Sequence, residues 1–187
     1  MRITGGLFRG RKINAPANLP VRPTTDFAKT ALFNILANHF NFEAVVALDL
    51  YAGTGSISFE FLSRGIKEMT CVDESIKCIS FIKKTASELN ASNIHCIRSE
   101  VLRFLKQANK KWDIIFADPP YDLNDTDSIP QIVFENNLLA ANGWLIIEHQ
   151  SKRTLVTSIP LYQLRKYGNS AFSVFKNEEQ YVNEKAT

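Results

Sequence analysis

Short apolar runs alternate with helical periodicities along most of this sequence. The run at 45–50 is apolar at five of its six positions, as expected for a strand covered on both faces of a sheet. From Thr25 to Leu36 the apolar residues instead share one helical face, and Thr25 is a suitable N-cap. Strands are predicted at 45–50, 69–72, 94–98, 113–117, 144–147, 162–166 and 171–175, with further helices at 56–64, 75–89, 102–107 and 129–139.

This alternation of strands and helices predicts the fold class. Repeated strand–helix–strand units build a doubly wound α/β sheet, Rossmann-like and mostly parallel, here with seven strands. The last two strands are joined by Gly168-Asn169, which indicates a terminal antiparallel hairpin. Ligands of such sheets bind at the carboxyl ends of the strands, so the candidate chemistry is sought there.

The first 25 residues follow a different pattern. Short apolar pieces alternate with glycines and basic residues, and Pro16, Pro20 and Pro23 follow. This pattern predicts a small β-hairpin arm and an extended linker, which are too short to form a core of their own. The predicted organisation is therefore a basic hairpin and linker at 1–25, followed by one α/β domain at 26–187.

Length and composition fit an ordinary soluble domain. The chain has 187 residues, of which 45% are hydrophobic and 22% charged, which excludes a disordered chain or a fibre. No apolar run approaches the ~20 residues of a membrane span, and no apolar segment follows the basic start as a secretory signal would require. Cys71, Cys78 and Cys96 match neither a disulfide framework nor a zinc site. We expect a cytoplasmic protein with reduced thiols and no metal.

Positive charge is concentrated at the start of the chain. Residues 1–40 carry six basic side chains against Asp26 alone, a net +5, whereas the whole chain has a net charge of only +3. Such an arm could neutralise the phosphates of a nucleic acid, or it could simply be a solvated surface. The candidate phosphate ligands are Arg2, Arg9, Arg11, Lys12 and Arg22.

A glycine turn follows the first predicted strand. Gly53 and Gly55 allow the backbone to approach a ligand closely, and Asp49 could bind a cationic or hydroxyl group. Ser58 stands where a dinucleotide fingerprint would have a third small residue, and a P-loop lysine is absent. A purely structural turn remains the alternative.

Two acidic residues follow the next two strands. Asp73 lies 20 residues after Gly53, where a carboxylate can accept both hydrogens of a ribose diol. By itself Asp73 could equally be an acidic residue at a helix start. Together with the glycine turn it predicts an adenosine site, in which Glu100 would receive the adenine amino group.

The most informative motif is Asp118-Pro119-Pro120-Tyr121, directly after the strand at 113–117. Two prolines hold the turn rigid and leave its carbonyls free, so Asp118 and the Pro119 carbonyl could accept hydrogen bonds from one NH₂ group. Tyr121 offers a flat face for an extruded base. Two acceptors favour the cationic nitrogen that forms when an aromatic amine attacks a methyl carbon, for which a sulfonium is a good donor. His39, His95 and His149 share no motif spacing, and we interpret them as structural or surface residues.

With these motifs the chain resembles class I methyltransferases that use S-adenosylmethionine and act on an amino nitrogen. The segments RITGG at 2–6, RGRK at 9–12, RPTTD at 22–26 and LFNIL at 32–36 are similar to the bacterial small-subunit ribosomal RNA guanine-N2 methyltransferases. The resemblance implies a protein that binds 16S rRNA through its hairpin and prefers RNA assembled with small-subunit proteins. We expect it to be a monomer. It implies catalytic roles for Asp118, Pro119, Pro120 and Tyr121, and cofactor binding by Thr24, Asp49, Ala52, Gly53, Gly55, Asp73 and Glu100.

Departures from the family pattern occur at 27–30, where the chain has Phe27-Ala-Lys-Thr, at Glu100 in place of an Asp, and at Tyr51 in place of a Phe. The first of these puts polar contacts from that helix in question. Three alternatives stay open: methylation of DNA adenine, methylation of a protein glutamine, and an RNA-binding assembly factor without catalysis.

Overall fold

The computed structural model describes residues 1–16, 26–121 and 123–178. The predicted linker lies outside these residues, and with it Arg22, Thr24 and the N-cap Thr25. Among the described residues, no helix is long and apolar enough to cross a bilayer.

The described residues contain one seven-stranded sheet, which confirms the predicted fold class. Its strand order is β3-β2-β1-β4-β5-β7-β6, with β1 to β5 parallel and β7 antiparallel to both neighbours. The strand order reverses at β1, so β1 and β4 lie side by side at the centre. The strands are β1 Val46–Leu50, β2 Glu68–Asp73, β3 Ile94–Arg98, β4 Trp112–Ala117, β5 Leu139–Gln150, β6 Gln163–Tyr167 and β7 Ser170–Lys176.

Helices connect the parallel strands and cover both faces of the sheet. Alternate residues of β1 belong to different cores: Ala47 packs with α1, α2 and α3, whereas Leu48 packs with α4 and α5. This burial on both faces explains why the strand is a continuous apolar run. The helices are α1 Asp26–Ala37, α2 Ser56–Ser63, α3 Ile76–Glu88, α4 Val101–Gln107 and α5 Ser128–Glu135, and short 3₁₀ turns lie at Phe42–Ala44 and Asn124–Asp127.

The predicted bounds of α5 and β5 were wrong, and β5 also extends three residues beyond its predicted end at 147, to Gln150. The helix expected at 129–139 ends at Glu135, and β5 begins at Leu139 instead of 144. Asn137 adopts a left-handed φ of 51°, which ends the helix, and Leu139 then pairs with Trp112 of β4. The apolar pair at 138–139 therefore belongs to the strand side of this turn.

The first 14 residues form an arm that folds back on itself and packs against α2. Its strand pairing is limited to one antiparallel bridge between Arg2 and Lys12, so the predicted hairpin is present in reduced form. Ile3 and Ile13 are buried in the core on the α1–α2 face. Gly6 lies so close to α2 that an added Cβ would stand 1.8 Å from the Ser63 carbonyl oxygen, which requires glycine there.

Candidate active site

Two cavities meet at the carboxyl ends of the central strands. The first, which we call the acidic cavity, has a volume of about 620 Å³ and is bordered by the ends of β2 and β4 and the start of α4. The second, the arm-side cavity, has a volume of about 680 Å³ and lies between the glycine turn and the arm. Tyr51, Gly53 and Asp118 line both cavities and therefore form the boundary between them.

Asp73 ties the glycine turn to the end of β2. Its Oδ2 accepts a hydrogen bond from the Gly53 amide at 2.8 Å, and its Oδ1 accepts one from the Ser75 amide at 2.8 Å. The two motifs that predicted an adenosine site are thus in direct contact. Each carboxylate oxygen has a second lone-pair direction, so the half-buried side chain can still accept from a ligand hydroxyl.

Glu100 lines the acidic cavity and caps helix α4. Its Oε1 accepts from the Leu102 amide at 2.8 Å and its Oε2 from the Arg103 amide at 2.7 Å. These bonds satisfy amides that have no partner within the helix. Binding of an adenine amino group by Glu100 stays a prediction, and the exposed carboxylate lies where that prediction needs it.

Asp49 lies near the end of β1, is buried beside the first turn of α2 and lines the arm-side cavity. Its Oδ2 accepts from the Ser58 amide at 3.1 Å and the Ser58 hydroxyl at 2.6 Å. Burial raises the pKa of Asp49 to about 7, the hydrogen bonds from Ser58 oppose this shift, and the charge of Asp73 adds to it. Ser58, which departs from the dinucleotide fingerprint, therefore donates two hydrogen bonds to the Asp49 carboxylate that precedes the turn.

The glycine turn itself has left-handed backbone at three positions. The φ angles are 59° at Tyr51, 54° at Gly53 and 74° at Gly55. Ala52 and Gly53 line the arm-side cavity, and cofactor binding by them stays a prediction. Gly55 faces the core instead, because a Cβ there would lie 2.8 Å from the Phe59 ring and 3.0 Å from Ile82. Its positive φ shapes the turn, and cofactor binding by Gly55 stays a prediction.

Tyr51 was noted in the sequence only as a departure from the family pattern, and no site role was predicted for it. Its buried hydroxyl has no hydrogen-bond partner among the described residues. Burial raises the pKa of the phenol, and the nearby carboxylates of Glu100, Asp125 and Glu74 raise it further, so the hydroxyl stays protonated. Its position between Asp49 and Gly53, in the turn itself, was the signal available in the sequence.

The Asp-Pro-Pro-Tyr turn follows β4 and closes one wall of the acidic cavity. All four residues, Asp118, Pro119, Pro120 and Tyr121, line that cavity, and Asp118 also reaches the arm-side cavity. The turn is held by hydrogen bonds from the Asp118 amide to the Leu50 carbonyl (3.4 Å) and from the Leu123 amide to the Pro120 carbonyl (3.0 Å). The predicted acceptor group thus lies at the junction of the two cavities.

The arm brings positive charge to one side of this junction only. Arg2 and Lys12 line the arm-side cavity, where Arg2 Nε lies 3.4 Å from Asp26 Oδ2. Arg9 is exposed on the arm, and Arg11 faces α3. Among the described residues that line the acidic cavity there is no Lys or Arg, while five are Asp or Glu.

The histidines and cysteines lie away from the site cavities, apart from Cys78 on the wall of the acidic cavity. His149 is buried, with Nε2 2.8 Å from the Ser173 hydroxyl, and burial lowers its pKa. His39 packs on the Trp144 ring and His95 lies 3.5 Å from Glu68. In the described part of the chain, no three His, Cys, Asp or Glu side chains form a group that could hold a metal ion.

Comparisons with known proteins agree on one family. The sequence model of the family described as conserved hypothetical protein 95 matches residues 1–176. The ribosomal RNA small subunit methyltransferase D of Haemophilus influenzae is 34% identical over 84% of this chain and 82% of its own. A putative rRNA methyltransferase of Bacillus subtilis is 31% identical over 94% and 98%. The structure of a putative methyltransferase from Escherichia coli is 28% identical, covers 96% and 99% of the two chains, and superposes with a TM-score of 0.81.

Proposed function

This chain belongs to the family described as conserved hypothetical protein 95, and from that membership we propose that it methylates ribosomal RNA. The reaction is transfer of a methyl group from S-adenosylmethionine to the exocyclic N2 amine of a guanine in 16S rRNA. Curated relatives named ribosomal RNA small subunit methyltransferase D support this substrate. The protein acts in the cytoplasm, as a monomer, on assembled or assembling small subunits.

One observation carries the proposal: Asp118 borders both cavities. A transferase must bring its donor and acceptor together with little water between them. A cofactor whose adenosine occupies the acidic cavity and whose other end reaches past the glycine turn would meet a base entering from the arm side at the Asp118-Pro119-Pro120-Tyr121 turn.

The residues present suit S-adenosylmethionine better than a phosphorylated cofactor. The acidic cavity has five carboxylates among its described lining residues, which would repel the phosphates of a dinucleotide or of ATP. Asp73 and Glu100 would hold the adenosine. Tyr51 would offer the hydroxyl that has no partner among the described residues, and Asp49, Ala52 and Gly53 would bind the cationic end of the cofactor. When bound, the cofactor supplies an electrophilic methyl group on a sulfur that leaves as a neutral thioether.

The chain's own contribution is to position and polarise the target amine. The Asp118 carboxylate and the Pro119 carbonyl accept its two hydrogens, which stabilises the positive charge that develops on nitrogen. Pro120 carries no amide hydrogen and so does not compete for these acceptors. Tyr121 stacks on the base, and Asp118 or water removes the proton that the amine gives up. Arg2, Arg9, Arg11 and Lys12 bind RNA phosphates. Phosphate binding by Arg22 and cofactor binding by Thr24 stay predictions from the sequence.

Methyl transfer from labelled S-adenosylmethionine to naked 16S rRNA and to unmodified small subunits, followed by nucleoside analysis, tests this proposal. We expect N2-methylguanosine at one position. The Asp118→Ala variant should lose at least about 100-fold in turnover and keep its cofactor affinity, because it loses an acceptor needed for the transfer step.

The Glu135→Ala variant, changed on the exposed face of α5, is the control and should turn over normally. Equal turnover of Asp118→Ala and the wild type would refute the assignment of the acceptor site. Tight rRNA binding without any methylated product would identify the non-catalytic assembly factor instead.

A further inference from the structure

A cleft of about 650 Å³ lies between the arm and helix α3. We call it the basic groove. Its arm wall carries Arg11 and Lys12, and its α3 wall carries Lys77 and Lys84. Glu88 is the single carboxylate among the described residues that line it. The groove therefore presents four cations against one anion.

The basic groove opens onto the candidate active site. Lys12 and Asn14 line both the groove and the arm-side cavity, so the two spaces are adjacent. A strand that lies in the groove would enter the arm-side cavity beside Asp118. The α3 lysines would thus contact the part of the strand that lies outside the arm-side cavity.

The charges of the α3 wall are available to a ligand. Lys77 and Lys84 are exposed and lie seven residues apart, which places them on the same helix face about 10 Å apart along the axis. Lys84 Nζ lies 4.0 Å from Glu88 Oε1, but such an exposed pair on a helix is weak and screened by salt. Phe81 lies between the two lysines, half-buried, and gives the floor an apolar surface.

We propose that the basic groove binds the sugar-phosphate backbone of the rRNA strand that leads to the target guanine, with Lys77 and Lys84 as phosphate ligands. This inference rests on the proposed function and adds a second wall to the RNA site beyond the arm. Compact ammonium groups along one face, on exposed flexible stems, suit phosphate oxygens, which require no particular base sequence.

The opposite charges of the basic groove and the acidic cavity favour this path for the RNA backbone. The basic groove attracts a polyanion, while the acidic cavity on the other side of the glycine turn repels it. The RNA backbone is therefore kept on the arm side, and only a base reaches the cofactor side.

The chain offers a matched control for the test. Lys83 is the neighbour of Lys84 on α3, but it faces a different cavity, beside Glu68 and His95. Lys106 is exposed in the last turn of α4. The Lys77→Ala/Lys84→Ala variant and the Lys83→Ala/Lys106→Ala variant carry the same net charge, so only the position of the lost charge differs.

The experiment measures the Kd of each full-length variant for naked 16S rRNA over a series of salt concentrations, together with kcat, KM and cofactor affinity. For the groove variant we expect binding weaker on the order of tenfold at 0.1 M salt and a salt slope lower by roughly 0.7–0.9 per lost phosphate contact. Its KM for RNA should rise with kcat and cofactor affinity unchanged, and the control should behave like the wild type.

Equal salt slopes for the two double variants would overturn the groove, and methyl transfer by the wild type would then leave the proposed function standing. Loss of affinity for assembled subunits without loss for naked rRNA would also overturn it, since the lysines would then contact a ribosomal protein. The two double variants could differ in rRNA affinity as expected while the wild type forms no methylated product. In that case the groove proposal is supported and the proposed function fails.

Discussion

At the scale of single residues, the acidic side chains of the site make hydrogen bonds within the protein that do not depend on a ligand. Asp49, Asp73 and Glu100 each accept two hydrogen bonds from protein donors at the start of a helix or in the glycine turn. The sequence suggested ligand roles for the same three residues. Both roles are compatible, because a carboxylate has about four acceptor positions and these bonds use two of them. The same three carboxylates can therefore stabilise the fold and bind a ligand.

The buried hydroxyl of Tyr51 leads to a prediction for stability. Because this hydroxyl has no partner among the described residues, the Tyr51→Phe variant should raise the free energy of unfolding without cofactor by about 1–2 kcal/mol. Urea unfolding measures it, with the half-buried Tyr167→Phe on β6 as the control. A decrease of more than about 1 kcal/mol in the free energy of unfolding of Tyr51→Phe would show that the hydroxyl makes a hydrogen bond in solution.

The pKa of Asp49 predicts how stability depends on pH. Burial raises this pKa from 3.8 to about 7, so between these values the folded state holds a proton that the unfolded state has lost. Asp49 therefore destabilises the fold increasingly as pH rises from about 4 to 7, and no further above that. Relative to Asp49→Asn, the wild type should lose about 3 kcal/mol between pH 5 and pH 8. Urea unfolding of both proteins at the two pH values measures it, and parallel pH profiles would contradict it.

At the scale of elements, α2 links the site to the arm. Asp49 holds its first turn, and its last turns hold the arm: Glu60 accepts from the Thr4 amide at 2.9 Å, and Ser63 donates to the Gly5 carbonyl at 2.5 Å. Lys29 of α1 completes the junction, with Nζ 2.6 Å from the Arg2 carbonyl and 3.7 Å from Glu60. The departure from the family pattern at 27–30 put polar contacts from α1 in question, but Lys29 makes them. The arm is therefore fixed by buried charge and not only by its two isoleucines.

Removal of the Lys29 charge should be costly. The Lys29→Met variant leaves Glu60 fully buried with Arg64 as its remaining cation, so we expect a loss of about 2–3 kcal/mol, less than for a buried charge that loses its sole partner. Burial also lowers the pKa of Lys29, which shows that this charge is poorly solvated. Chemical unfolding measures the loss, with exposed Lys67→Met as the control. An unchanged midpoint would mean that Arg64 alone neutralises Glu60.

At the scale of the whole molecule, what the sequence predicted depended on local signals. The strands around 45–50 and 113–117 were predictable because a buried parallel sheet requires uninterrupted apolar runs. Asp49, Asp73 and Asp118 were predictable as a site because the ends of parallel strands converge. The family resemblance is confirmed by the match over residues 1–176. Neither the division into two cavities nor the basic groove was predictable, because both depend on where the arm docks.

Strand order has a consequence for the order in which the protein can form. The ribosome makes β6 before β7, yet β7 lies between β5 and β6 in the finished sheet. Until β7 is made and inserted, the apolar edge of β5 has no neighbour and β6 has nothing to pair with. An uncovered sheet edge of this kind can recruit a strand from another chain. The nascent protein is therefore most prone to aggregate just before it acquires its last strand, and shortening the chain before Ser170 would make that state permanent.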